Sequence, residues 1–267
     1  MLNVHIRHVS SSDGTLDHFR ALKDVEQRRA GSFIAESELV VQRVLRTDLS
    51  IRSLLIHQNR LERLRGDIEE HVRRREPFPV LVAPAADIDS VLGFPLPRGV
   101  LALVQRPPLR TLSDVLATAR RVVVLEDVVD PDNVGAIFRH CAAFGADAVI
   151  ISESSGDPLY RKALRSSMGW ALHVPWTRLP DRAPIGETLR GHGFVTYAFT
   201  PAGKVDVRDP SLRHIERLAL VFGAETNGLS LEALASCDAT IRIIIDPAID
   251  SLNVATSAAL AMFELFR

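Results

Sequence analysis

The sequence predicts a two-domain α/β protein whose C-terminal domain contains a mostly parallel β-sheet. The chain has 267 residues, a length typical of two domains rather than one. Pro107-Pro108 interrupts it, and from Val122 onwards strand-like and helix-like segments alternate, which is typical of a parallel sheet covered by helices on both faces. We therefore predict an N-terminal domain at residues 1–106, a linker at 107–118 and a C-terminal domain at 119–267.

The N-terminal domain is predicted to be a small α/β module. Its apolar residues between Phe33 and Leu45 are spaced as in an amphipathic helix that begins after Ala35. Strands are predicted at 51–56, 80–83 and 100–104. The stretch 60–75 carries many charges of both signs, which indicates a solvated helix face more strongly than an RNA contact.

In the second half of the chain the predicted elements alternate in type. The strands are 122–126, 148–151, 172–174, 195–199, 218–222 and 241–245, and the helices are 112–117 within the linker, 133–144, 161–167, 186–191 and 252–266. Ligands of open parallel sheets bind beyond the carboxyl ends of the strands. We therefore expect the functional residues at those ends.

The composition restricts the possible classes of function. With 46% hydrophobic and 24% charged residues, the chain can bury cores and is expected to be neither fibrous nor disordered. Its apolar runs are strand-sized and no apolar segment follows the first ten residues, so we expect no membrane span, no secretory signal and a cytoplasmic location.

Up to residue 110 there are 17 basic against 14 acidic residues, which makes this part the better polyanion binder. Cys141 and Cys237 lack metal-ligand spacing, so buried free thiols and no metal are expected.

The first segment with functional signals runs from Leu125 to Arg139. A predicted strand ends in acidic and proline-containing turn residues, after which Asn133 can cap the next helix. Arg139 lies less than two turns further along, so that an amide and a guanidinium can be aimed at one cleft. Taken alone, such an arginine is more often a surface charge than a functional group.

Two further segments follow predicted strands. Gly223 allows the backbone to approach a ligand closely, and Glu225 places a carboxylate at the carboxyl end of a strand. This turn lacks the glycine spacing of a dinucleotide fold and the Gly-Lys-Ser/Thr of a P-loop, which argues against a nucleotide-cofactor dehydrogenase. In the last segment Ser251 is a credible helix cap, whereas an ordinary capped helix leaves Asn253 unexplained.

Together these segments resemble the three ordered motifs of the SpoU/TrmH RNA 2′-O-ribose methyltransferases, within the SPOUT superfamily. The matching stretches are Asn133-Val134-Gly135-Ala136-Ile137-Phe138-Arg139, Phe222-Gly223-Ala224-Glu225 and Ser251-Leu252-Asn253-Val254. Residues 160–169 resemble the family's intervening Arg-Ser-Gly segment, and Phe33-Ile34-Ala35-Glu36 resembles its N-terminal substrate-binding module. The sequence departs from the family where Ile243-Ile244-Ile245 replaces a frequent Ile-Pro-Met, with the proline displaced to Pro247.

The resemblance implies a C-terminal SPOUT domain with a parallel sheet and a deep trefoil knot, and a smaller N-terminal α/β ribosomal-protein-like domain that binds the RNA substrate. It also implies S-adenosylmethionine as methyl donor, no metal, and a homodimer whose active site is completed across the interface. The donor-binding residues implied by position are Thr200, Gly223, Ile243 and Leu252, and the implied catalytic residues are Asn133, Arg139, Glu225, Ser251 and Asn253.

In this interpretation Arg139 contacts the ribose and the neighbouring phosphate and stabilises the developing alkoxide, because an arginine is too fully protonated to act as a base. Asn133 orients Arg139 or the ribose, and Glu225 fixes the motif loops or Arg139. Ser251 and Asn253 position the substrate and the donor. The alternatives are an RNA-binding protein of this fold that has lost catalysis and a knotted enzyme that methylates a base nitrogen. Both tRNA and rRNA remain open as substrates.

Overall fold

The computed structural model describes residues 4–20, 23–96, 99–180 and 183–266, and its contacts divide the chain into two units. The first unit contains Met1–Pro108 together with Leu159–Leu172, and the second contains Leu109–Pro158 together with His173–Arg267. The division falls after Pro108, inside the predicted linker.

Helices and strands alternate along most of the chain in both units. The helices are α1 (Asp17–Arg20), α2 (Asp24–Arg29), α3 (Glu38–Leu45), α4 (Leu61–Arg74), α5 (Ala85–Leu92), α6 (Leu112–Leu116), α7 (Pro131–Phe144), α8 (Arg161–Ser166), α9 (Ile185–Gly191), α10 (Leu231–Ser236) and α11 (Val254–Leu265). The strands are β1 (His5–His8), β2 (Ser32–Glu36), β3 (Ile51–His57), β4 (Pro79–Ala83), β5 (Val100–Gln105), β6 (Arg121–Leu125), β7 (Ala148–Ile151), β8 (Trp176–Arg178), β9 (Val195–Phe199), β10 (Val205–Asp206), β11 (Leu218–Phe222) and β12 (Ala239–Arg242). Across the described ranges no helix combines the length and the hydropathy that a membrane crossing requires.

The first unit is built on a mixed five-stranded sheet in the order β1-β4-β3-β5-β2. Strands β1, β4 and β3 pair in parallel, whereas β5 pairs antiparallel with both β3 and β2. Phe19, Ile34, Leu55 and Leu101 are buried in one hydrophobic cluster of this unit. The burial of each such side chain contributes roughly 1.5–3 kcal/mol.

Helix α8 belongs to the first unit, which corrects the predicted assignment of every residue after 118 to the C-terminal domain. Its arginines bind the Glu36 carboxylate at the end of β2, with Nη1 of Arg161 at 3.2 Å and Nη1 of Arg165 at 3.0 Å. The side chain of Glu36 is only 12% exposed, and charges removed from water in this way require close partners. Trp170, which follows the helix, lies under the guanidinium of Arg43, 4.1 Å from its carbon to the ring centroid. Sequence periodicity does not reveal such long-range pairing.

The second unit contains a seven-stranded sheet in the order β10-β12-β9-β11-β6-β7-β8, in which every pairing is parallel. The predicted parallel sheet of the C-terminal domain is therefore confirmed. Strands β7 and β11 are buried along their whole length, as expected for parallel strands covered on both faces. Because all strands run in one direction, their carboxyl ends lie along one edge of the sheet.

Two predicted strands are wrong in position. Residues 172–174 do not form a strand: Trp170–Leu172 is a 3-10 turn, and β8 begins at Trp176, directly after Pro175. Proline cannot donate to a sheet ladder and is therefore found at strand boundaries. Strand β12 ends at Arg242 rather than at residue 245, because its pairing with β9 ends at Ile241, opposite Phe199, and its pairing with β10 ends at Arg242, opposite Asp206.

A buried histidine is expected to make the stability of the first unit depend on pH. His71 on α4 is buried; its Nδ1 donates to the Leu45 carbonyl at 2.9 Å, and its ring packs against Phe78. Removal of the ring from water lowers its pKa below the ordinary value of 6.5. The unfolded chain therefore takes up a proton before the folded chain does, and stability present above this pH is lost as the pH falls. We expect the free energy of unfolding to decrease between pH 7 and pH 5, and to decrease less in His71→Phe.

Urea unfolding at the two pH values measures this difference. The exposed His18 provides a matched control, because His18→Phe is expected to retain the pH dependence of the unsubstituted protein. An equal pH dependence in His71→Phe and the unsubstituted protein would contradict the assignment of this effect to His71.

Candidate active site

Three of the four predicted donor-binding residues lie at the carboxyl edge of the second sheet. Thr200 follows β9, Gly223 follows β11 and Ile243 follows β12, and these three strands are neighbours in the order β12-β9-β11. The backbone N–H of Thr200 donates to the carbonyl of Ile241 at 3.0 Å. The structure therefore brings three loops together that are far apart in the sequence.

The loop after β11 requires glycine at its first position. A Cβ atom on Gly223 would lie 2.3 Å from the carbonyl carbon of Gly228, closer than any side-chain carbon can approach. The two ends of this loop are held together because the Gly228 N–H donates to the Ala224 carbonyl at 2.9 Å. Beneath it the rings of Phe199 and Phe222 stack with centroids 4.8 Å apart.

Asn133 links its own motif segment to the other two through its side-chain amide. Its Nδ2 donates to Glu225 Oε1, and its Oδ1 accepts a hydrogen bond of 2.9 Å from Nδ2 of Asn253. Both ends of the amide are therefore used, and the orientation of the side chain is defined. Two roles were predicted for Glu225, fixing the motif loops or fixing Arg139, and these contacts agree with the first.

Asn133 does not cap α7, contrary to the sequence prediction. The cap is Asp130, whose Oδ1 accepts from the N–H of Asp132 at 3.0 Å, and Pro131 occupies the first helical position. Proline is favoured there because its missing N–H is not needed. Asn133 lies in the first turn of α7 but does not cap it, so its side-chain amide is available for Glu225.

Ser251 does not cap the last helix either. Asn253 does so, accepting from the N–H groups of Ala255 at 2.9 Å and Thr256 at 3.2 Å with its Oδ1. Asn253 thus caps α11 with its oxygen and binds Asn133 with its nitrogen, which accounts for an asparagine at this place. Ser251 is exposed in the loop before the cap, and Leu252 lies between the two.

Arg139 is exposed on α7, and within the described ranges its side chain has no hydrogen-bond or ion-pair partner. Neither Asn133 nor Glu225 holds it in this chain. Its neighbour His140 is partly buried where α7 packs against α11, and burial lowers the pKa of that ring. The helix that carries Arg139 is therefore anchored, while the guanidinium remains available to a ligand.

Two supporting contacts were not predicted from the sequence. Glu126, directly after β6, accepts hydrogen bonds of 2.8 Å from both the N–H and the Oγ of Ser230, the cap of α10. A Cβ on Gly203 would lie 2.3 Å from the carbonyl carbon of Ile241, so the turn after Thr200 also depends on glycine. Two sequence signals could have indicated these contacts. One is a carboxylate directly after a strand, and the other is a Pro-x-Gly turn shortly after another strand.

Ion binding by side chains is not indicated at this edge. In the part of the chain that the structure describes, no group of three or more His, Cys, Asp or Glu residues could hold a metal ion. Cys141 is fully buried, and desolvation raises the pKa of its thiol far above the ordinary range. The catalytic residues implied by the resemblance supply two amides, one carboxylate, one guanidinium and one hydroxyl.

Comparisons with known proteins agree with this arrangement. Residues 120–263 match the model of the SpoU rRNA methylase family. An uncharacterised tRNA/rRNA methyltransferase of Mycobacterium bovis is 41% identical over 263 residues, covering 96% of this chain and 89% of that protein. A 23S rRNA (guanosine(2553)-2′-O)-methyltransferase of Bacillus subtilis is 25% identical over 240 residues, covering 90% of each chain.

A solved structure with the same fold is a Sinorhizobium meliloti rRNA methyltransferase bound to S-adenosylmethionine. It aligns with a TM-score of 0.81 and 26% identity, covering 97% of each chain. The family model covers more than half of this chain, and the mycobacterial relative extends over both units. The chain therefore belongs to the SpoU rRNA methylase family.

Proposed function

We propose that this protein transfers a methyl group from S-adenosylmethionine to a ribose 2′-hydroxyl of rRNA or tRNA. The observation that carries the proposal is the hydrogen-bonded series Glu225–Asn133–Asn253, which ties three motif segments together at the carboxyl edge of the sheet. The 2′-O-specific Bacillus subtilis relative supports the ribose hydroxyl as the acceptor rather than a base nitrogen.

The residues at the sheet edge fit the methyl donor. Thr200, Gly223, Ile243 and Leu252 would hold it, through backbone groups and apolar contacts. After β12 the side chains of Ile244 and Ile249 are each 55% exposed, which is an apolar surface that an adenine ring would cover. Pro247, displaced relative to the family pattern, lies between them in an exposed loop. S-adenosylmethionine supplies an electrophilic methyl group when bound, and no other cofactor chemistry is required.

The chain's own residues must orient the ribose and stabilise its charge. A ribose hydroxyl is a very weak acid, so positioning and electrostatics must supply most of the rate acceleration. We assign to Arg139 the contact with the ribose and phosphate, where its permanent charge stabilises the developing alkoxide. Asn133, Glu225 and Asn253 fix the loops, and Ser251 positions the substrate.

We further propose the finer features that the family resemblance implies. The strand order supports a trefoil knot, because the chain places β11 between β9 and β6 and then returns to place β12 between β9 and β10.

A homodimer is supported by the exposed Leu260 and Phe263 on α11, which are three positions apart and share a face. Arg139 has no partner among the described residues of its own chain, which fits an active site completed by a second copy. The first unit would be the ribosomal-protein-like RNA-binding domain, and an RNA substrate is consistent with a cytoplasmic location.

A labelling experiment tests the reaction. The purified protein is incubated with radiolabelled S-adenosylmethionine and either total tRNA or undermethylated rRNA, and the digested RNA is analysed by nucleoside mass spectrometry. A 2′-O-methylated nucleoside is expected. A base-methylated nucleoside would refute the assignment of the acceptor, and binding of RNA and donor without any label would favour an RNA-binding protein that has lost catalysis.

Substitution of Gly223 is expected to weaken donor binding. In Gly223→Ala the new Cβ conflicts with the Gly228 backbone, and the forced displacement of the loop costs on the order of 1–3 kcal/mol. We expect the Kd for S-adenosylmethionine, measured by calorimetry, to rise about tenfold or more. Gly191→Ala is the control, because a Cβ there meets nothing within 4 Å. Equal affinities of the two variants would exclude the loop after β11 from the donor site.

A further inference from the structure

The first unit contains a cavity of 440 Å³, and none of the residues assigned to methyl transfer lines it. It opens where the parallel strands β3 and β4 end, so that His57, the last residue of β3, and Ala85, the first residue of α5, both line it. This volume lies within the range of about 300–1,000 Å³ that is usual for small-ligand sites. Its location matches the rule that ligands of parallel strands bind beyond their carboxyl ends.

The cavity wall carries two arginines and one carboxylate. Arg60 and Arg63 line it, and both approach the same carboxylate oxygen, Oε2 of Glu38, at 3.3 and 3.8 Å. One carboxylate therefore faces two guanidinium groups. Asp89 also lines the cavity, but its Oδ1 accepts the N–H of Leu96 at 2.7 Å. The side chain of Arg63 is 62% exposed, and it can reach an anionic ligand without losing a buried partner.

The remaining wall combines apolar surface with one unsatisfied amide. Ile88 and Leu96 line the cavity but are buried, whereas Pro95 lines it and is exposed. Asn59 is exposed beside them, and within the described ranges its side-chain amide has no hydrogen-bond partner. An amide offers a donor and an acceptor to the edge of a base. The guanidinium groups suit a phosphate, the apolar surface suits the face of a base, and the amide suits the edge of a base.

We infer that this cavity binds one unstacked nucleotide of the RNA substrate, a nucleotide other than the one that is methylated. The inference rests on the proposed function, because it takes RNA as the substrate. Arg60 and Arg63 bind the phosphate, Pro95 contacts the base, and Asn59 reads its edge. Proteins that recognise RNA by sequence commonly extrude single bases from loops and bulges in this way. The cavity thus selects the RNA, while the second unit performs the reaction.

A pair of neighbouring substitutions tests the inference. Ala85 and Ala86 are both exposed at the start of α5, but only Ala85 is among the residues that line the cavity. Ala85→Trp fills the cavity, and Ala86→Trp adds the same side chain beside it. We expect Ala85→Trp to raise the KM for RNA roughly tenfold, the loss expected for one base contact, with kcat and the Kd for S-adenosylmethionine unchanged. Ala86→Trp is expected to retain the original KM.

Ultraviolet cross-linking to RNA gives a readout that does not require turnover. Trypsin releases residues 53–60 as one peptide that contains His57 and Asn59, and we expect a nucleotide on this peptide in the unsubstituted protein and in Ala86→Trp. The cross-link is expected to be lost in Ala85→Trp and reduced in Asn59→Ala and Arg63→Ala. If Ala85→Trp does not fold, the latter two exposed substitutions decide the question.

Two results would overturn the inference. One is an identical cross-link and KM in Ala85→Trp and Ala86→Trp. The other is affinity for a free nucleoside 5′-monophosphate that Ala85→Trp removes while the KM for RNA stays unchanged, which would identify a free nucleotide as the ligand. Failure of the proposed function is distinguishable: the protein would then label no RNA, while the cross-link to residues 53–60 would still report on the cavity.

Discussion

Replacement of Arg139 by alanine is expected to abolish detectable methyl transfer, a loss of at least about a hundredfold in kcat, while the Kd for S-adenosylmethionine stays within about twofold. The guanidinium would stabilise charge that develops on the ribose oxygen only in the transition state, so its removal slows the reaction without weakening donor binding. Because the side chain is exposed and has no partner in the described residues, the melting temperature should not change. Single-turnover labelling of RNA and calorimetry of donor binding measure the two quantities.

Arg120→Ala provides the matched control. Arg120 is also exposed, but it lies just before β6 and therefore at the amino edge of the sheet, opposite the motif loops. A loss of activity in Arg120→Ala of the same size would mean that general positive charge, and not the position of Arg139, supports the reaction. Full turnover in Arg139→Ala would refute its assignment.

The sequence predicts strands β7, β9 and β11 of the second unit closely and strands β8 and β12 poorly. Residues 148–151, 195–199 and 218–222 are strands with the predicted bounds, because mostly apolar runs of this length are typical of buried strands and too short for most helices. Strand β12 is different, because Ile243, Ile244 and Ile245 are as apolar as Ile241. Where that strand ends depends on where its partners β9 and β10 end, and the local pattern contains no information about them.

The helix caps show a similar limit at the site. Asp130 and Asn133 can both cap α7, and Pro131 was a local signal in favour of Asp130. Ser251 and Asn253 can both cap α11, and the one local signal that favours Asn253 is that asparagine is disfavoured inside a helix. What distinguishes Asn253 is its hydrogen bond to an amide 120 positions away in the chain, which exists only once α7 and α11 have packed together.

The second large effect is expected when the Asn133 amide, which donates a hydrogen bond to Glu225, is replaced by a carboxylate. In Asn133→Asp the bond to Glu225 is lost and two carboxylates face each other, whereas in Asn133→Ala the exposed Glu225 can be hydrated. Loss of a hydrogen bond to a charged group costs about 1.5–3 kcal/mol, so we expect kcat/KM to fall by about one to two orders of magnitude. We expect Asn133→Asp to be more impaired than Asn133→Ala, and to recover in part at lower pH, where one of the two carboxyl groups is protonated.

The double variant Asn133→Asp/Glu225→Gln exchanges the donor and the acceptor of this bond. The new amide at position 225 can donate to the new carboxylate, which can still accept from Asn253, so the melting temperature and the Kd for S-adenosylmethionine should return towards their original values. If kcat recovers as well, Glu225 serves only to orient the loops. If stability and donor affinity recover but kcat does not, the charge of Glu225 acts on the substrate itself. A double variant as impaired as Asn133→Asp in all three quantities would contradict the network, because the damage would then not arise from the contact between positions 133 and 225.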